Sequence, residues 1–303
     1  MRAKIMLLSS GKQEQANCAY ASRLLMDISS AFDHTFSLME GKMEEGAFDA
    51  CQDCQAVFAG SSETPALQTL LDDLGMPLLI RSFCVPESVC ARHESPATLY
   101  VATVLSLDEE TLLPACRSAF QFAQEQDCRL CSVFPTGASR QDWEANIRVQ
   151  EGLFPQVPSV SMTGPEAITA LIASPERMGL ALCPPYAGGM LNAAGTALCA
   201  YPAVIHDMAF DEEIGVYAPF TLPENDAPQP FAAALALAKL LRFSLHLQRE
   251  AGCLEAAVNN VLTAHSRVPR NGGEPAPDPE KSLDMICEQI AVAGELMQRA
   301  GLN

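Results

Sequence analysis

The chain has 303 residues, a formal net charge of −18 at pH 7 and 49% hydrophobic residues, enough for one large or two smaller buried cores. The strong negative charge and the lack of a basic patch argue against a nucleic-acid phosphate track. No apolar run approaches the roughly 20 residues that span a bilayer, and the start of the chain lacks a signal-peptide cleavage site. We therefore expect a cytoplasmic protein with no nucleic-acid or membrane partner.

Strands and helices alternate along the first part of the chain. A strand-like run at 4–9 leads through Ser9, Ser10 and Gly11 into a helical pattern with an apolar face. The elements that follow are a strand at 35–39, a buried strand at 55–60, a helix at 65–74 with Pro65 in its first turn, and a strand at 78–81.

The same alternation continues through the middle of the chain. Asp108 is the predicted N-cap of a long amphipathic helix. In chain order the elements are strand 98–105, helix 108–126, strand 130–134, helix 143–153, strand 159–162, helix 165–173 and strand 180–182. Such alternation predicts a layered α/β fold.

The last part of the chain is predominantly helical. Residues 231–250 are apolar on several faces and predict one continuous buried helix, and 254–262 repeats the helical period. The proline and glycine content of 268–279 indicates a loop or linker, after which 281–300 resumes a helical pattern.

Two short segments are candidate ligand sites. Ser61 and Ser62 follow a buried strand, and the carboxyl end of a strand is where clefts of α/β folds bind ligands. No Gly-x-Ser-x-Gly pattern makes either serine a nucleophile. Gly188 and Gly189 follow another strand and precede an alanine-rich helix. Free backbone N–H groups there can receive an anion, but glycines that permit a tight turn and close helix packing are the favoured interpretation.

Cysteine and histidine provide weak evidence for a metal or acid–base site. Two Cys-x-x-Cys pairs, Cys51/Cys54 and Cys128/Cys131, have the thiols for a zinc site, but their long separation favours reduced, buried side chains. The five histidines show no metal-ligand spacing. His206 precedes Asp207, yet neighbours on a strand point to opposite faces, so a solvated loop histidine is favoured over an acid–base pair.

Several segments resemble the isocitrate/isopropylmalate dehydrogenase family, in the family's order. They are the strand 53–60, the helix, loop and strand 67–81, the helix 115–123, the turn and helix 183–195, and the segments 216–219 and 230–245. The resemblance implies two α/β lobes around a central cleft, one formed by 1–95 and 207–303 and the other by 96–206. It also implies a homodimer through the second lobe.

The resemblance also shows which functional residues differ. The family grips a malate-type substrate with three arginines, holds a divalent metal with aspartates, transfers protons through lysine and tyrosine, and binds NAD or NADP on a histidine-glycine loop. Of the arginines only Arg81 is retained, and the segment 220–226 has no histidine-glycine motif. The other family positions are occupied by Leu71 and Ala102 (arginines), Pro135 (lysine), and Gly189 and Ala193 (aspartates).

These differences predict no catalytic residue, no bound metal, and neither NAD nor Mg²⁺ as cofactor. The leading hypothesis is a catalytically degenerate member that binds a small anionic ligand or a protein partner. Its candidate ligand-binding residues are Arg81, Ser61, Ser62, Gly188 and Gly189. One alternative is an NAD(P)-dependent oxidoreductase that acts on a 2-hydroxy acid through a rebuilt site. Another is a structural subunit that pairs with an intact dehydrogenase.

Overall fold

The computed structural model describes residues 1–44, 47–85, 97–137, 139–199, 204–211, 213–221, 228–266 and 278–299. The predicted linker at 268–279 lies almost wholly outside these residues, and so does most of the 220–226 segment. Within the described residues the strands are β1 (Arg2–Ser9), β2 (Thr35–Lys42), β3 (Ala56–Ala59), β4 (Leu78–Val85), β5 (Ala97–Val104), β6 (Leu130–Val133), β7 (Ser159–Met162), β8 (Leu180–Cys183), β9 (His206–Phe210) and β10 (Gly215–Pro219).

The helices alternate with these strands over most of the chain. They are α1 (Lys12–Phe32), α2 (Ala47–Cys51), α3 (Pro65–Asp73), α4 (Glu109–Glu125), α5 (Ser139–Leu153), α6 (Gly164–Ala173), α7 (Pro185–Leu198), α8 (Pro230–Phe243), α9 (Gln248–Ser266) and α10 (Pro279–Arg299). Asp108 caps α4 as predicted, because its carboxylate accepts a hydrogen bond from the Thr111 N–H at 2.8 Å.

The chain divides into two compact units. Unit 1 comprises Met1–Leu74 and Glu212–Asn303, and unit 2 comprises Gly75–Asp211. The sequence analysis places these boundaries after residues 95 and 206 instead. The difference arises because β4 pairs antiparallel with both β5 and β9, so these three strands belong to the same unit.

Unit 1 contains four parallel strands in the order β2-β1-β3-β10. The register is continuous, with Ile5 of β1 opposite Ala56 of β3, and Gly215 of β10 opposite the same Ala56. Helix α8 packs against β3 and β10 and against α1, α9 and α10. Its apolar residues are almost all buried, which makes α8 the core helix of this unit.

Unit 2 contains strands in the order β9-β4-β5-β8-β6-β7. Strands β5, β8, β6 and β7 run parallel, whereas β4 runs antiparallel to its two neighbours. Helix α4 packs with α5, and α6 packs with α7. The parallel strands align their carboxyl ends at one edge of the sheet, where Thr103, Cys183 and Val133 end or nearly end their strands.

The prediction of one continuous helix over 231–250 is wrong. The structure ends α8 at Phe243 and begins α9 at Gln248, because His246 between them adopts a left-handed backbone with φ 55°. The Leu247 N–H donates to the Leu241 carbonyl at 2.8 Å, which reverses the chain direction. Although α8 is strongly apolar, none of the described helices is long and apolar enough to cross a bilayer.

Candidate functional site

Ser61 and Ser62 lie in unit 1, directly after β3. The Ser61 hydroxyl is 2.6 Å from the Thr221 hydroxyl, which follows β10, and it accepts a hydrogen bond from the Glu63 N–H at 3.2 Å. The Ser62 N–H donates to the Pro219 carbonyl at 3.0 Å. The two serines therefore join the carboxyl ends of β3 and β10. The Ser62 hydroxyl is buried and has no hydrogen-bond partner in the described part of the chain.

A buried asparagine extends this group of polar residues toward two helices. The Asn17 side chain on α1 donates to the Gly60 carbonyl at 2.9 Å and accepts from the Gln229 N–H at 2.9 Å. Gln229 is the N-cap residue of α8, and its side-chain carbonyl Oε1 is buried and has no partner within the residues that the structure describes. We name Asn17, Gly60, Ser61, Ser62, Thr221 and Gln229 the unit 1 polar edge.

Sequence analysis found only the two serines of this edge. Asn17, Thr221 and Gln229 are each 6% exposed or less, and they meet because α1, β3, β10 and α8 converge at one end of the sheet. A signal was available in the sequence. Asn17 is a polar residue on the apolar face of a predicted helix, and Gln229 precedes the first proline of the core helix.

Arg81 lies on β4 of unit 2 and forms a bidentate ion pair with Asp207. Its Nε donates to Asp207 Oδ1 at 2.7 Å and its Nη2 donates to Asp207 Oδ2 at 2.6 Å. The side chains are 11% and 1% exposed. The register explains the pairing, since Arg81 stands opposite Asp207 on the antiparallel strand β9. This geometry favours a structural role, and binding of a ligand by Arg81 stays a prediction.

The expectation of a solvated loop histidine at His206 is wrong. His206 begins β9, which pairs with β4, and it is only 3% exposed. Its Nδ1 lies 3.1 Å from the Val204 carbonyl. Sequence analysis missed β9 because its first two residues are polar and ionisable, which is typical of a loop.

Gly188 and Gly189 lie inside the first turns of α7 and not in a loop before it. The Gly188 N–H donates to the Pro184 carbonyl at 2.9 Å, so it is not free to receive an anion. A Cβ built on Gly188 would lie 2.3 Å from Thr103 Oγ1, whereas one on Gly189 would meet nothing within 4 Å. Gly188 therefore permits close packing of α7 on β5, as the favoured interpretation predicts. A double glycine looks like a loop in sequence because it breaks most helices.

The residues of α7 do not fit a divalent metal. Gly189 and Ala193 are four residues apart, so they share one face of the helix, but neither side chain offers the hard oxygen that Mg²⁺ requires. Within the described residues no three His, Cys, Asp or Glu side chains are grouped closely enough to hold a metal ion. No metal-assisted step can be assigned to these side chains.

The cysteines of the two Cys-x-x-Cys pairs are poor nucleophiles. Burial raises the pKa of Cys51 to about 12, and burial also raises the pKa of Cys54. Burial raises the pKa of both Cys128 and Cys131 to about 11. Because the thiolate is the reactive form, these side chains are inert at neutral pH.

Comparison with known proteins supports the predicted fold. The chain is 27% identical over 188 residues to 3-isopropylmalate dehydrogenase of Colwellia psychrerythraea, covering 58% of this chain and 52% of that protein. It is 24% identical over 159 residues to the Haemophilus influenzae enzyme of the same name, covering 50% of this chain and 44% of that protein. The chain thus spans about half the length of the curated relatives it matches. No protein-family model matches it.

Two solved structures show the same fold. The isocitrate dehydrogenase of Methylococcus capsulatus superposes with a TM-score of 0.79 at 13% identity, covering 95% of this chain and 99% of that one. A β-decarboxylating dehydrogenase of Thermococcus kodakarensis in its apo form gives 0.76 at 16% identity, covering 98% of both chains.

These matches define the class of protein. The chain has the isocitrate/isopropylmalate dehydrogenase fold, which confirms the predicted fold class. Over about half of its length its sequence is similar, at 24–27% identity, to enzymes named 3-isopropylmalate dehydrogenase. Fold alone does not carry activity, because activity depends on the residues of the site.

Proposed function

We propose that this protein is a catalytically degenerate member of the family, which binds a small ligand or a protein partner and does not oxidise a 2-hydroxy acid. The observation that carries the proposal is the chemistry of α7, where the resemblance puts Gly189 and Ala193, which have no side-chain oxygen, at the positions of metal-binding aspartates. Oxidative decarboxylation in the family needs a proton acceptor and a metal as electron sink. Pro135 at the position of the lysine cannot move a proton.

Metal binding tests this proposal without an activity assay. Calorimetric titration of the full chain with MgCl₂ or MnCl₂ should give no saturable binding, since α7 supplies no carboxylate at the two family positions. Saturable binding that is lost when acidic residues of unit 2 are substituted would favour the alternative, a rebuilt oxidoreductase site. This test does not require the substrate to be known.

The ion pair of Arg81 with Asp207 argues against an anionic ligand at Arg81. By the resemblance, Arg81 is the one family arginine that is retained. Its guanidinium Nε and Nη2 both donate to the Asp207 carboxylate. A ligand carboxylate there would have to compete with a protein carboxylate that is already in place. We therefore place Arg81 with the structural residues of unit 2 in this proposal.

We also propose that the protein is a homodimer through unit 2. Four large apolar side chains are exposed on consecutive elements of this unit: Val149 and Leu153 on α5, Val160 on β7 and Ile172 on α6. They are 38% to 64% exposed, and β7 is the last strand in the order of the sheet. Exposed apolar patches and open sheet edges are typical of protein interfaces.

The dimer is tested with a matched pair of charged substitutions. Leu153→Glu should convert the dimer to a monomer in size-exclusion chromatography with light scattering. Leu296→Glu, at a similarly exposed position on α10 of unit 1, should leave it a dimer. A wild-type monomer would contradict this proposal, and a stable complex with an intact dehydrogenase would favour a structural subunit.

A further inference from the structure

The unit 1 polar edge contains two polar atoms whose hydrogen-bonding capacity is unused. Gln229 is 3% exposed, and among the described residues neither its Oε1 nor the buried Ser62 hydroxyl has a hydrogen-bond partner. Buried polar atoms are almost always hydrogen-bonded, because an unpaired one destabilises the fold. Both lie where the carboxyl ends of parallel strands meet the start of α8, the place where α/β folds bind ligands.

The polar edge carries no cationic side chain. Its six residues are all neutral, and at each of the two helix starts beside it one backbone N–H is already paired. The Gln229 N–H of α8 donates to Asn17, and at the start of α1 the Glu14 carboxylate accepts from the Ser10 N–H at 2.5 Å. The Glu14 backbone also lies against Gly60, since a Cβ built on Gly60 would be 2.4 Å from the Glu14 carbonyl oxygen.

This chemistry does not fit a dinucleotide. A diphosphate needs cationic side chains or free N–H groups at a helix start, and a carboxylate at the start of α1 repels it. What the edge does offer is an unused acceptor, Gln229 Oε1, and a hydroxyl on Ser62 that can donate or accept. The complementary molecule presents N–H or O–H donors and carries no negative charge.

We infer that the unit 1 polar edge binds an uncharged ligand rich in N–H or O–H donors, an amide or a polyol, with Gln229 Oε1 as the principal acceptor. This inference rests on the proposed ligand-binding function and names its ligand class. It replaces the anionic ligand of the sequence analysis with a neutral one, at residues of unit 1. At Gln229 Oε1 an anion would meet an acceptor instead of a donor.

The full chain is titrated with pairs of probes. Within each pair, one member carries a negative charge or lacks the N–H donors of the other. The pairs are benzamide and benzoate, benzamide and N,N-dimethylbenzamide, and D-ribose and ribose 5-phosphate. Binding is measured by calorimetry and by the shift in melting temperature. Benzamide or D-ribose should bind saturably, and each counterpart should bind at least about tenfold more weakly, the effect of one lost or mismatched hydrogen bond.

Variants locate the binding. Gln229→Met keeps the size of the side chain but removes its acceptor, so affinity for the neutral probe should fall about tenfold or more. Gln15→Met is the control, because it makes the same chemical change at an exposed position of α1. If Gln229→Met does not fold, Ser62→Ala serves, since it removes the other unpaired group.

Three results would overturn the inference. They are equal or tighter binding of the anionic probes, unchanged affinity in the folded Gln229→Met variant, and no saturable binding by any neutral probe. Each of these leaves the proposed loss of dehydrogenase activity intact. Conversely, metal-dependent turnover would overturn the proposed function whatever the binding result.

Discussion

The Arg81 guanidinium donates two hydrogen bonds to the Asp207 carboxylate, from Nε at 2.7 Å and from Nη2 at 2.6 Å. The residues are 126 positions apart in the chain and face each other across the antiparallel strands β4 and β9. Paired, planar geometry of this kind is the strongest form of a charged hydrogen bond in proteins. It gives Arg81 a structural role that requires no ligand.

Removing one member of this pair should destabilise the protein strongly. Arg81→Leu leaves the Asp207 carboxylate buried and unpaired, which costs about 3–5 kcal/mol. Arg148→Leu is the control, because Arg148 is 75% exposed and its ion pair with Glu144 is worth about 0–1 kcal/mol. Urea unfolding followed by circular dichroism measures both. Similar losses in the two variants would show that the buried pair contributes no more than a surface pair.

The two neighbouring glycines of α7 should respond oppositely to alanine. Gly188→Ala brings a Cβ to within 2.3 Å of Thr103 Oγ1, so the helix must shift from β5 and stability should fall by about 1–3 kcal/mol. Gly189→Ala meets nothing and gains about 0.5–1 kcal/mol from the better helix propensity of alanine. Thermal unfolding of the two variants measures both changes in stability. A loss of stability in both variants would mean that Gly189 has a contact that the structure does not show.

Buried thiols should make the protein less stable in mildly alkaline solution. Burial raises the pKa of Cys116 to about 12 and that of Cys131 to about 11, from about 9 in the unfolded chain. A raised folded-state pKa gives stability that is complete below pH 9 and is lost as pH rises through the folded pKa. Each such thiol contributes a slope of about 1.4 kcal/mol per pH unit in that window.

The slope is measured by urea unfolding at several pH values between about 8 and about 10.5, within the window where unfolded thiols ionise. Cys116→Ala should reduce the slope, because this residue is fully buried on α4. Cys84→Ala is the control, since Cys84 is exposed. An identical slope in wild type and Cys116→Ala would show that the Cys116 thiol ionises as readily in the folded protein as in the unfolded chain.

Local sequence patterns were sufficient to predict most elements. The strands β1, β3 and β6 and the helices α4 and α6 have strong apolar periods and clear caps, so the prediction and the structure agree within one or two residues. The failures have local causes. Polar residues at the start of β9 resemble a loop, and the double glycine of α7 resembles a turn. A left-handed backbone at His246 divides one apolar stretch into α8 and α9.

The candidate site was harder to predict than the fold, because its contacts join distant segments. Asn17 reaches Gly60 and Gln229, which are 43 and 212 positions away. The periodicity of a single helix or strand does not predict a contact between distant segments. The pairing of Arg81 with Asp207 could not be predicted for the same reason. Sequence analysis could identify Ser61 and Ser62 because they follow a strand, but it could not identify the residues that surround them.

The most direct test of the central claim is NAD- or NADP-linked oxidation of 3-isopropylmalate and isocitrate, with MgCl₂ or MnCl₂ present. The purified protein should produce no absorbance change at the nicotinamide wavelength above the buffer rate, because Pro135, Gly189 and Ala193 cannot transfer a proton or bind a metal through their side chains. Reduced cofactor that accumulates in proportion to protein concentration, and that disappears when the metal is chelated, would contradict the loss of catalysis.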